Sequence, residues 1–257
     1  MSAKSAPSAR ADVPTSHPRY ASLMARERIV AGMEAGITSI HGLIAQGRGE
    51  AFDYLLGETT HPFAATAIQA AAALLLRARH PVISVNGNVA ALADADVVRL
   101  GSLTGAPLEV NIFHSSKTRE RAIRKALRQA GATRVLMPSR STVLPGLDHN
   151  RRFVHPDGIA RADVVFVPLE DGDRCQALRQ AGKHVITVDL NPLSRTACSA
   201  TITIVDNLLR CLPKLCESVA ALQQGGPSAA AKALSLYRHD RALREAERQL
   251  RRMTPKR

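Results

Sequence analysis

The chain has 257 residues, 45% of them apolar, which is near the upper end of what one hydrophobic core supports and reads as one domain with modest tails. No stretch reaches the roughly 18 unbroken apolar residues that cross a bilayer, the opening MSAKSAPSAR lacks the apolar core of a secretory signal, and four cysteines without a CxxC pair suggest neither a zinc site nor a disulfide framework. A cytoplasmic location without membrane attachment is expected, and the formal charge of +13 favours anionic partners, whether nucleic acid, acidic surfaces or phosphorylated small molecules.

Residues 1–16 are rich in Ser, Ala and Pro without apolar periodicity and are expected to be a mobile tail. Apolar positions Leu23, Ile29, Val30 and Met33 predict a helix over Tyr20 to Met33, ended by Gly36, and a second helical run follows from Pro62 to Arg79. The period then changes: Pro81-Val-Ile-Ser-Val85 is a short β-branched run typical of a buried parallel strand, stopped by Asn86-Gly87-Asn88. A helix over Val89 to Leu100 comes next, then a strand over Leu108 to Phe113, a helix over Thr118 to Ala130 and a strand over Arg134 to Met137. A strand over Asp163 to Val167, a helix over Arg174 to Gln180, and strands over His184 to Leu190 and Ala200 to Val205 complete the series. This alternation predicts an α/β, doubly wound, mainly parallel and Rossmann-like sheet with helices on both faces, whose ligands collect at the carboxyl ends of the strands. After a hinge at Gly225-Gly226-Pro227, an Arg-rich run predicts a basic C-terminal helix, so the expected units are a tail over 1–16, a body over 17–224 and a basic helix over 225–257.

Four segments combine glycine or asparagine with charge where ligands would gather. Gly47-Arg48-Gly49-Glu50 is read as a loop in which bare backbone and the Arg48 guanidinium approach an anion, or else as a helix-initiating turn. Asn86 and Asn88 suit a nucleotide or hydroxy-acid site, and a plain strand-to-helix turn fits them equally. In Glu170-Asp171-Gly172-Asp173-Arg174 the carboxylates suit magnesium shared with phosphate oxygens, or a helix cap in which Asp173 satisfies free amides, the more frequent use of such a residue. In Asp189 to Thr196, Asp189 is placed for ribose hydroxyls and Arg195 for a phosphate, against an ordinary turn with a surface arginine. Neither GxGxxG nor GxxxxGK[ST] occurs, and no nucleophile elbow or Cys/His motif points to a covalent intermediate.

Taken in order, HPRYASLMARERIVAGMEAGI (from His17), GLIAQGRGEAFDYLLGE (from Gly42), PVISVNGNVAAL (from Pro81), PGLDHNR (from Pro145), ADVVFVPLEDGDR (from Ala162), DLNPLSRTA (from Asp189) and TIVDN (from Thr203) resemble the archaeal-type 4-phosphopantoate-β-alanine ligase family. The resemblance implies a homodimeric enzyme that joins 4-phosphopantoate to β-alanine with ATP and Mg2+ through an acyl-adenylate. It implies ATP contacts at Arg26, Arg48, Asp189, Leu190, Asn191, Arg195, Thr196, Asn207 and Leu208. Arg48, Asn86, Asn88, Asp171 and Asp173 are the candidate catalytic residues, with Asn86 and Asn88 orienting the acid; Glu50, Asp171 and Asp173 are the candidate bases, and no metal ligand is assigned. Two departures from the family pattern stand out: Gln46 replaces a histidine, and His114-Ser115 replaces an aromatic followed by arginine. A ligase for unphosphorylated pantoate is the nearest alternative. A nucleic-acid-binding role is the more distant one, disfavoured by only 3% aromatic residues and so few stacking platforms.

Overall fold

The computed structural model describes residues 13–113 and 116–252. The expectation for residues 1–16 therefore falls mostly outside the described residues, as does His114-Ser115. Six parallel strands, β1 (Pro81–Val85), β2 (Leu108–Val110), β3 (Val135–Leu136), β6 (Val164–Phe166), β7 (His184–Val188) and β8 (Ile202–Ile204), form one sheet in the order β3-β2-β1-β6-β7-β8. The order reverses direction between β1 and β6, which is the switch point where a doubly wound sheet opens a crevice. A two-stranded antiparallel ribbon, β4 (Ser139–Val143) with β5 (Phe153–Val154), lies outside it.

Strand periodicity sorts the two faces. On one face Ile83, Val85, Leu108, Val110, Phe166, Ile186 and Val188 join a large core with α1 (Tyr20–Glu34), α3 (Pro62–Arg77), α4 (Gly87–Thr104), α5 (Lys117–Gln129), α8 (Leu208–Leu236) and α9 (His239–Arg252). On the other face Val82, Val165, Val167 and Val185 pack on α6 (Gly172–Gln180) and on the ribbon. The intervening positions on that second face are polar: Ser84, Glu109, Asn111 and Thr187 are all buried. Each has a partner, because a buried polar group left unpaired would cost about 1–3 kcal/mol. The Glu109 carboxylate accepts the backbone N–H groups of His155 (2.9 Å), which caps the π-turn Pro156–Ala160, and of Ile159 (2.7 Å) within it, and burial pushes its pKa up to about 7.

Several observed elements differ from the sequence expectations. β1 has its predicted bounds, but the other strands are shorter than predicted, β2 and β8 most of all, with β2 ending at Val110 instead of Phe113. The segment Ile40–Leu55, read as carrying a loop, is a sixteen-residue helix, α2, and Gly47-Arg48-Gly49 lies within it. Three glycines in this helix, each worth about 1 kcal/mol less than alanine there, mask its helical character. Gly42 is required by contact: a Cβ would stand 2.2 Å from both Asn88 Oδ1 and Thr38 Oγ1. The far end of α2 is anchored by Asp53, which accepts from Arg210 Nη2 at 2.5 Å and from Asn207 Nδ2 at 2.7 Å.

At Gly226 the backbone (φ +72) interrupts α8 before Pro227. The residues beyond pack inward, with Ala230, Ala233, Ala242 and Ala246 buried. Tyr237 accepts the Thr203 N–H at 3.1 Å, which ties this segment to edge strand β8. The charges of α9 lie outward in pairs such as Arg241–Glu245 and Arg251–Glu247.

Candidate functional site

A cavity of about 670 Å³ opens at the carboxyl ends of the strands, over the switch point. Its walls are the inner face of α2, the turn after β1, the turn from β6 into α6, the loop from β7 into α7 (Arg195–Ser199), and the start of α8. Of the residues singled out from sequence, Arg48, Asn86, Asn88, Asp171, Asp189, Leu190, Asn191, Arg195, Thr196, Asn207 and Leu208 line this one cavity. Arg26 and Asp173 are not among its lining residues.

Asn86 and Asn88 spend their amides within the protein. Asn86 caps α4, accepting from Val89 N at 3.0 Å, and its Nδ2 donates to the carbonyls of Pro168 (3.2 Å) and Leu169 (3.0 Å), joining the end of β1 to the end of β6 across the crevice. Asn88 Oδ1 accepts from Thr38 Oγ1 at 2.5 Å, and its Nδ2 donates to the Gly42 carbonyl at 2.9 Å, fixing α2 against α4. Both residues are thus committed to holding walls in place. Leu169 is held at φ +55, a conformation that costs a side-chain-bearing residue about 1–2 kcal/mol. The Asn86 bond and the Leu169 N–H donated to the Val188 carbonyl keep it there.

The turn into α6 corrects one expectation: Asp171, not Asp173, caps the helix, accepting from Arg174 N at 2.8 Å. Asp173 instead pairs with Arg195 at 2.8 Å, with both side chains more than half exposed. Gly172 lets these two loops meet, since a Cβ there would stand 2.5 Å from Arg195 Cβ. Beneath the turn lies a charged network that sequence reasoning missed. The fully buried Glu170 carboxylate is gripped by Arg151 and by the equally buried Arg174. Arg151 also donates from Nη1 to Asp171 Oδ2 (2.7 Å) and from Nε to Asn111 Oδ1 (2.9 Å), while Arg174 Nη1 donates to Ser84 Oγ (3.1 Å). Burial raises the Glu170 pKa against the pull of both arginines. At Asp171 burial is outweighed, and the Arg151 charge with the Arg174 N–H holds the carboxyl below its usual range. Arg151 lies in PGLDHNR, but nothing local distinguishes it from Arg152 beside it.

Asp189 follows β7 with its carboxylate turned inward, accepting from Asn191 N (2.9 Å) and the Ser194 hydroxyl. Burial raises its pKa, opposed by those two bonds and by the Arg48 charge. Ser194 in turn caps α7, and Thr196 Oγ1 donates to the Glu170 carbonyl at 2.9 Å. Asn207 caps α8, accepting from Leu209 N at 3.0 Å. Arg48 reaches the cavity from α2 and enters no salt bridge among the described residues.

Arg26 belongs to a second groove on the opposite side of α2, lined with Arg19, Gln46, Glu50 and Tyr54. It donates from Nε to Glu50 Oε2 at 2.9 Å, and Arg19 Nη2 reaches Glu50 Oε1 at 2.8 Å. These bonds, with the Ser22 hydroxyl, bring the Glu50 pKa down to about 2 despite some burial, so Glu50 is a poor proton acceptor for the cavity. A depressed carboxylate pKa stabilises the fold above the unfolded value of 4.5, and that contribution is lost as pH falls toward 2. Glu50→Gln is accordingly expected to lose roughly 1–2 kcal/mol at pH 7, after allowance for solvent screening, and almost nothing near pH 2. Denaturant titrations at the two pH values check this.

Among the described residues no group of three His, Cys, Asp or Glu side chains is placed to hold a metal ion, and no helix is long and apolar enough to cross a membrane. Three of the cysteines are buried and Cys198 is exposed.

Comparison with known proteins adds to this geometry. Residues 63–253 match the family model described as phosphopantothenate/pantothenate synthetase. The chain is similar to the 4-phosphopantoate–beta-alanine ligase of Methanosarcina mazei, at 53% identity over 235 residues, covering 91% of this chain and 92% of that protein. It is similar to the enzymes of the same name from Thermococcus kodakarensis (53% over 207 residues, 80% and 79%) and Methanospirillum hungatei (51% over 212 residues, 82% and 86%).

Proposed function

This chain belongs to the phosphopantothenate/pantothenate synthetase family, and we propose that it ligates 4-phosphopantoate and β-alanine to 4′-phosphopantothenate, cleaving ATP to AMP and diphosphate. The observation that carries the reading is the match to ligases of that name along nine-tenths of the chain. The cavity supports it: it lies across the switch point of a doubly wound sheet, where such folds hold nucleotides.

In this reading ATP occupies the β6 to β8 side. Asp189 and Asn191 face the ribose, and the starts of α6 and α8 direct backbone N–H groups at phosphate oxygens. Arg48 and Arg195 are the cations beside the phosphates. The acid lies on the β1 to β2 side, and its carboxylate meets the α-phosphate at the crevice. The carboxylate oxygen forms a bond to that phosphorus as the bond to the diphosphate breaks. The β-alanine nitrogen then attacks the acyl carbon, AMP departs, and the amine proton passes to a base or water. Asp171, anchored by Arg151, lines the cavity at the start of α6 and is the candidate base. Magnesium would come with the triphosphate, since that ion is usually held by one or two carboxylates plus phosphate oxygens, and it would neutralise charge there. Of the two aspartates at the start of α6, Asp171 lines the cavity and would share such an ion with the phosphates, whereas Asp173, outside the lining, is paired with Arg195.

Binding and charge stabilisation are the main contributions asked of the protein. A homodimer and a cytoplasmic location accord with the same reading, and the exposed Ile40, Ile44 and Tyr54 on α2 offer apolar surface for a second copy. Isotope exchange tests the adenylate directly. With 4-phosphopantoate and ATP present and β-alanine withheld, labelled diphosphate is expected to enter ATP. Exchange that requires β-alanine would mean that no adenylate forms on its own.

A further inference from the structure

We propose that the protein carries a second anion site at the amino ends of the strands, where Arg79, Arg134 and Arg161 line a small cavity suited to a diphosphate group. The site stands apart from the ligase reaction proposed above.

The cavity, of about 180 Å³, lies against Pro81 at the start of β1 and Pro107 just before β2. Arg134 immediately precedes β3, Arg161 precedes β6, and Arg79 lies between α3 and β1, so three separate segments of chain each bring an arginine to it. β1 spans roughly 13 Å from Pro81 to Val85. That length separates this cavity from the one at the carboxyl ends, and no residue lines both.

The three side chains are exposed, and none of them enters a salt bridge among the described residues, although Asp157 lines the cavity with them. Like charges gathered around one hollow repel, and a bound dianion would offset that repulsion. The backbone that carries them is fixed from within the protein. The Asp163 carboxylate accepts the N–H groups of Arg79 (2.8 Å) and His80 (2.9 Å), so it is spent on backbone and not on a guanidinium. Lys183 Nζ donates to the carbonyls of Ala160 (2.9 Å) and Ala162 (2.8 Å), on either side of Arg161. The Arg134 carbonyl accepts the Leu108 N–H at 3.2 Å. Buried charges thus hold the rim in place before any ligand arrives, which lowers the ordering cost of binding.

Guanidinium forks suit phosphate oxygens, each holding two of them through parallel N–H bonds. Three such forks match a diphosphate, with terminal oxygens on both phosphorus atoms, better than a single phosphate. The cavity falls short of the roughly 300 Å³ at which pockets for whole small molecules begin. Its ligand is therefore free diphosphate, or the diphosphate arm of a molecule whose remainder lies outside.

Isothermal titration of the full-length protein with inorganic diphosphate tests the site. In the proposed reaction the catalytic cavity holds diphosphate as well, so the measure is the difference between variants. Arg134→Gln/Arg161→Gln is expected to lose one binding equivalent per chain. Arg134→Gln alone should weaken that equivalent by about tenfold or more, the scale of a lost charged hydrogen bond, and it serves if the double variant does not fold. Arg121→Gln/Arg124→Gln removes the same charge from the exposed face of α5 and should bind like wild type. Melting temperatures of all the variants should match wild type, as exposed unpaired side chains are replaced. ADP titrated in the same way distinguishes the two sources. An ADP equivalent lost in the double variant assigns the cavity to a diphosphate arm, and ADP binding indifferent to the variant assigns it to the free anion; either upholds the site. Diphosphate binding of equal stoichiometry and affinity in wild type and the Arg134→Gln/Arg161→Gln variant, or an equal loss in the α5 variant, would overturn it.

Discussion

Arg48→Ala is expected to lower kcat/KM by about 100- to 1000-fold while leaving the fold intact. The effect follows from position and freedom. Arg48 projects from α2 into the cavity, enters no salt bridge among the described residues, and is exposed; the buried Asp189 carboxylate, on which its charge acts, keeps its bonds from the Asn191 N–H and the Ser194 hydroxyl. In the proposed reaction it offsets charge that moves onto the diphosphate as the α-phosphate is transferred. Removing a donor aimed at developing charge typically costs about 3–4 kcal/mol of transition-state stabilisation. The loss should appear mainly in kcat, with a circular dichroism spectrum and melting temperature like those of wild type. Retained turnover would take Arg48 out of the chemistry.

Glu170→Ala should do the opposite, acting first on stability. The carboxylate is fully buried between Arg151 and Arg174, and removing it leaves two guanidiniums without their shared counter-charge. Breaking a buried ion pair on one side costs about 3–5 kcal/mol. At roughly 2–4 °C per kcal/mol for a domain of this size, the melting temperature should drop by about 6–20 °C. Activity should fall too, because the network fixes Asp171 and the start of α6. A thermal melt within about 2 °C of wild type would mean that the network carries little of the stability assigned to it.

The two variants illustrate how much could be read from the chain. Alternation of β-branched runs with helical periods was legible because parallel strands buried on both faces leave near-continuous apolar strings, and Pro81 to Val85 and His184 to Val188 lie where those strings do. The loop from Asp189 to Thr196 was legible because its residues are contiguous. The helical state of Ile40–Leu55 was not, since its glycines argue against a helix locally, and bonds from distant residues, Asn88 to Gly42 and Arg210 to Asp53, hold it. The β4–β5 ribbon was missed because Ser139–Val143 is mostly exposed and carries no alternation of apolar side chains. The buried network escaped for a related reason: Glu170 and Arg174 lie four residues apart in one segment, but Arg151 and Asn111 come from elsewhere in the chain, and their pairing with it exists only in three dimensions. For Asn86 and Asn88 the sequence fits a substrate site and a strand-to-helix turn equally, because nothing in it reveals that the carbonyls of Leu169 and Gly42 accept from their amides.

The most direct test of the central claim is diphosphate and AMP release by purified protein with ATP and magnesium, comparing 4-phosphopantoate plus β-alanine with pantoate plus β-alanine. Stoichiometric diphosphate and AMP with the phosphorylated acid, and little with pantoate, is the expected result. Release with pantoate alone would assign the site to the unphosphorylated acid, and silence with both acids from folded protein that binds ATP would contradict the proposed reaction.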